Sequence, residues 1–160
     1  MSGGSNTAQA SAAWATAMEN VLARQSAVLE DLGAWATRQQ HCIAGGRVDE
    51  LLTVLGHRQT LVDQLLETQT ELSGLTEGLE DRLQSVEPDM RQRLRGRMRD
   101  VDDALQRVLE QDERDRGELE RQRTVANDQL HAMEAARQAR SQYVGADVEV
   151  SSRRFADERA

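Results

Sequence analysis

Between residues 14 and 42 the side chains Trp14, Met18, Val21, Gln25, Val28, Leu32, Trp35, Gln39 and Cys42 recur in alternating steps of four and three, without a slip. That spacing is the a/d repeat of a coiled coil and is incompatible with the two-residue period of a strand. Leu22, Leu29 and Ile43 lie beside the seam and widen it, so that more than one partner helix can be covered. Both tryptophans fall on the seam and are expected in the core. Gly33 costs roughly 1 kcal/mol in mid-helix but leaves the pattern intact. The rest of the composition agrees: aromatic residues are confined to Trp14, Trp35, Tyr143 and Phe155, and Pro88 is the single proline. Mixed or β folds draw heavily on turns, β-branched strands and aromatic core pieces, whereas Leu, Ala, Gln, Glu and Arg are the better helix formers.

The breaks in this pattern divide the chain. MSGGSNTAQA, residues 1–10, is small and polar and reads as a disordered tail. A first helix is expected over 11–43, ended by Ala44-Gly45-Gly46, where glycine supplies left-handed geometry. A second helix is expected over 47–86. Its stripe is Val48, Leu52, Leu55, Val62, Leu65, Leu72, Leu79, Leu83 and Val86, softened near Gly74 and Gly78. So short a connection favours a long antiparallel hairpin. Pro88 suits the first position of a third helix over 88–143, with the seam Leu94, Met98, Val101, Leu105, Val108, Asp112, Asp115 and Leu119. The run EQDERDR (110–116) reads as a solvated charge run that kinks or exposes this helix, which is therefore long or broken. Residues 144–160 read as a flexible tail. The fold class expected is all-α.

Functional chemistry is sparse. The chain carries a net charge of −8, and its basic residues are all arginine. An acidic chain with few aromatics to stack on bases argues against nucleic acid as a partner. No apolar run approaches the ~20 residues of a membrane span, and the N-terminal residues lack the pattern of a secretory signal. A lone cysteine, Cys42, forms no disulfide framework and suits a reducing, cytoplasmic setting. His41 and Cys42 point about 100° apart on a helix, so they do not share a metal readily. Asp128 and His131 have the i, i+3 spacing of di-iron bundles, but that motif is needed twice. No P-loop, dinucleotide fingerprint or nucleophile elbow is present. The expectation is a non-catalytic protein with no cofactor and no metal. Arg91, Arg93, Arg95, Arg97 and Arg99 form the one basic cluster; alternation by two spreads them around a helix, the plain reading being a solvated face and the sharper one a patch for an acidic partner.

The residues from Trp14 to about Leu75 carry a resemblance. After the first amphipathic helix and the break Ala44-Gly45-Gly46 come Arg47, Val48, Asp49, Glu50, Leu51 and Leu52. Val54, Leu55, Arg58, Gln59, Leu61, Val62, Asp63 and Leu65 follow. This order is similar to the FlgN-like family of flagellar export chaperones, over roughly the first half of the chain. The resemblance implies a small helical cytoplasmic chaperone that holds hook–filament junction proteins through its C-terminal part and delivers them to the type III export gate. On that footing Leu119, Val125, Leu130 and Met133 are the candidate client contacts, since their thin stripe suits a helix that waits for a partner as well as one packed on the hairpin. Tyr143 and Phe155 are the candidate anchors for an export gate component. The alternative is a homo-oligomeric coiled-coil scaffold, a homodimer in its simplest form. Gln25 and Gln39 on the seam would then set its register.

Overall fold

The structure, a computed structural model, describes residues 3–157, except the side chains of 151 and 154–157. The protein is all-α, with four helices and no strand among the described residues: α1 (Gly3–Ala44), α2 (Val48–Leu75), α3 (Leu79–Gln84) and α4 (Pro88–Asp157). It divides into two units, the first ending at Arg116 and the second beginning at Gly117.

In the first unit α1 and α2 form the antiparallel hairpin, and α3 with the opening turns of α4 completes its packing. The seam of α1 is buried from Trp14 to Cys42 with one exception, and Met18 and Leu94 are fully enclosed. Leu83, Val86, Val101 and Val108 join them in a single apolar core, which Leu61, Leu65, Leu72 and Met98 flank. The exception is Trp35, which is half-buried and not a core residue as its place on the seam predicts. Its ring stacks on His57 with centroids 4.4 Å apart, and the Arg38 guanidinium lies 4.6 Å from its centroid.

The first turn follows from its glycines. Gly46 adopts φ +63°, and Arg47 N–H and Gly46 N–H donate to the carbonyls of Cys42 and Ile43 at 2.9 and 3.2 Å. This is the double bond of a Schellman closure, which satisfies the last carbonyls of α1. Trp14 Nε1 donates to the Leu75 carbonyl at 2.8 Å and fastens the end of α2 to the start of α1. Gly78, also at φ +63°, then ends what sequence periodicity reads as one helix over 47–86, so that α3 is a separate short piece. At the next corner Arg91 donates from Nε to the Leu83 carbonyl at 2.8 Å and from Nη2 to those of Gln84 and Val86 at 3.2 and 3.3 Å. Its guanidinium thereby covers the carbonyl end of α3.

Four further expectations differ from what is found. The helix begins at Gly3 within the stretch read as a tail, and α4 runs to Asp157 through most of the other. The start of α2 is turned by one position: Leu51, Val54, Arg58, Leu61, Leu65, Thr68 and Leu72 face inward. Val48 and Leu52 are 65% and 62% exposed. The inward stripe contains an arginine and a threonine, so a count of apolar side chains selects the wrong one. Finally, 110–116 is unbroken helix with no kink: Glu110, Glu113, Arg114 and Arg116 are exposed as a solvated run should be, while Asp115 is buried and Asp112 turns toward Arg58.

Asp115 is 4% exposed and accepts from Gln39 Nε2 at 2.7 Å and from Gln111 Nε2 at 2.8 Å. Arg58, equally interior, donates from Nη1 to Gln39 Oε1 at 2.5 Å and from Nη2 to Asp112 Oδ2 at 3.0 Å. A layer of polar groups from α1, α2 and α4 thus closes the core at the hairpin end. Most of the polar atoms in this layer pair with one another, Arg58 Nε and Asp112 Oδ1 being the buried exceptions, and the layer links three helices at once.

Candidate partner-binding surface

The second unit is helical through Asp157, and residues 123–150 are all exposed. Its first turn is tied by Glu118, which accepts from Arg121 Nε and Nη2 at 3.1 and 2.6 Å and from Gln122 at 3.3 Å. Those hydrogen bonds, with the attraction of Arg121, hold the Glu118 carboxyl below the usual carboxylate range against a weaker opposing effect of burial.

The candidate contacts Leu119, Val125, Leu130, Met133 and Tyr143 are each exposed, Met133 and Tyr143 to 68% and 76%. The side chain of Phe155 lies outside the described residues. At 100° per residue the candidates fall on two strips about 120° apart. Leu119, Leu130 and Met133 share one, Val125 and Tyr143 the other. The structure adds three residues that sequence reading left in a tail: Val144 and Val148 extend the first strip, and Val150 the second. Their signal was present in the heptad-related spacing from Met133 onward, but Gly145 masked it as a helix end. About 90° from the first strip, on the side away from the second, stand Glu120, Asn127, His131, Glu134 and Gln138, a polar face on the same helix.

Such a surface can bury apolar area against another helix. His131 Nδ1 lies 3.9 Å from Glu134 Oε2, and no group of three or more His, Cys, Asp or Glu side chains among the described residues is placed to hold a metal ion. Cys42 is buried beside Glu50, with Sγ and Oε2 4.0 Å apart. No helix among the described residues is long and apolar enough to cross a membrane. No protein-family model matches the chain, and neither curated proteins nor solved structures show significant similarity to it.

Proposed function

We propose that the protein is a non-catalytic cytoplasmic chaperone of the flagellar export kind, which holds hook–filament junction proteins against its C-terminal helix and hands them to the export gate. The observation that carries this reading is the exposed amphipathic helix after Gly117, with Leu119, Leu130, Met133, Val144 and Val148 on one strip. Amphipathic helices gain most of their stability in water from burying their apolar face, so a helix like this favours an occupant. A disordered terminal segment of an export subunit supplies one by folding as it docks. The resemblance of the hairpin sequence to the FlgN-like family supports the same role.

The test is binding of a purified hook–filament junction protein to the full chain and to a variant carrying Leu130→Asp and Met133→Asp. The reading expects loss of the complex with an unchanged helical content. Equal binding by both proteins overturns it.

A homo-oligomeric scaffold is the second reading. Gln25 and Gln39 no longer argue for it, since both find partners inside the chain, Gln69 and Arg58 among them. What favours it instead is the outward face of α2, where Val48, Leu52, Leu55 and Leu66 are exposed at a/d spacing. Sedimentation of the isolated protein separates the two, a stable dimer supporting the scaffold and a monomer the chaperone.

A further inference from the structure

Arg91, Arg95 and Arg99 follow one another at single-turn spacing and line a groove between α3 and the start of α4. The alternation of arginines over 91–99 hides this set, because every second member belongs elsewhere: Arg93 Nε, for instance, lies 3.8 Å from Glu19 of α1. The half-buried Leu79 and Met98 form the apolar floor over the buried core residue Leu83, Glu80 and Asp102 also line the groove, and the volume is about 550 Å³. That is room for an apolar anchor and its neighbours, and Met98 is the kind of floor residue that adapts to different shapes.

The three arginines are not equivalent. Arg91 is committed to the carbonyls at the end of α3. Arg95 holds the Glu80 carboxylate at 3.1 Å across the mouth of the groove, so a carboxylate is already accommodated at this rim. Arg99 makes no ion pair among the described residues. Three arginines outnumber the two carboxylates of the lining, Glu80 and Asp102, so apolar floor and net-cationic rim together favour a ligand that is apolar and acidic at adjacent positions. The chain as a whole is strongly acidic, so a negatively charged segment is repelled over most of its surface and finds short-range compensation here.

We propose that this groove docks an acidic amphipathic segment of a partner protein, with one large apolar side chain on the Leu79–Met98 floor and carboxylates on Arg95 and Arg99. The site lies wholly in the first unit and does not depend on the role given to the C-terminal helix.

Titration calorimetry of the full chain with a synthetic helical peptide of leucine and glutamate, patterned to one apolar face, tests it. The same peptide with lysine for glutamate is the control. The glutamate peptide binds and the lysine peptide does not. A variant carrying Arg95→Gln and Arg99→Gln, both on the exposed rim, loses about tenfold or more in affinity, the scale of one lost charge-assisted contact or two. Glu80→Gln removes the internal competitor and tightens binding several-fold. Absence of binding, equal affinity for the double variant, or preference for the lysine peptide overturns the proposal. So does a dimer of the unmodified protein that the double variant dissolves, since the occupant is then a second copy.

Discussion

Arg58 of α2 grips Asp112 of α4 at two points, Nη1 lying 2.7 Å from Oδ1 and Nη2 3.0 Å from Oδ2, while the same Nη1 also reaches Gln39 of α1. The Oδ1 contact is close without being a well-directed hydrogen bond, and Arg58 Nε is buried without a partner. The arrangement therefore carries a desolvation cost that its bonds offset only when all members are present. Arg58→Ala should lower stability by about 3 kcal/mol, the range for removing one partner of a buried pair. Urea denaturation with an unchanged slope checks this. Asp112→Ala, at the more exposed end, should cost less, and a smaller loss for Arg58→Ala than for Asp112→Ala would contradict the account.

Gln25 presents the opposite case. Its Nε2 donates to Gln69 at 3.2 Å, but its Oε1 is buried with no partner. Leucine at this seam position removes the unsatisfied atom and leaves Gln69 exposed to water. Gln25→Leu should raise stability by about 1 kcal/mol, since an unpaired buried acceptor costs about that or more. Thermal unfolding reads the shift directly.

Arg24 and Glu71 tie the outer faces of α1 and α2. Nη1 donates to Oε1 at 3.0 Å and Nη2 to Oε2. The hydrogen bonds from Arg24, aided by its charge and opposed by slight burial, hold the Glu71 carboxyl below its ordinary value. A carboxyl lowered in the folded state contributes stability that is present above its unfolded pKa and disappears as pH falls through the folded one. NMR titration should place the Glu71 midpoint lower in the unmodified protein than in Arg24→Gln. The stability difference between the two proteins should shrink on acidification, and it should be small throughout because the pair is exposed.

Gly46 sits in the left-handed region with open space where a Cβ would be. The cost of a side chain there is conformational, not steric crowding by neighbours. Gly46→Ala should cost about 1–2 kcal/mol, whereas Gly33→Ala, in mid-helix with equally open surroundings, should be stabilising. A guanidinium melt of both variants distinguishes backbone strain from lost packing, which predicts no such sign change.

The helical class, the hairpin and the α1 seam were legible because an uninterrupted four-three repeat has one physical solution. Trp35 and the facing of α2 were not. Two stripes one position apart compete on α2, and the one that wins carries Arg58 and Thr68, whose burial depends on partners in α1 and α4 or on the helix's own carbonyls. Asp112 and Asp115 kept their seam positions, yet their chemistry made them look like surface residues, since no local rule pairs a carboxylate with a glutamine 76 positions away. At the candidate surface, Leu130 and Met133 could be found from spacing alone. Val144 and Val148 could not, because Gly145 reads as a terminator although α4 passes through it.

The indole of Trp14, bonded to the Leu75 carbonyl, and that of Trp35, stacked on His57, stand at opposite ends of the α1–α2 hairpin. The chain thus carries a buried optical probe where α2 finishes and a partly wet one where it starts. Emission from single-tryptophan variants would reveal which end of the hairpin opens first under denaturant, without any label being added.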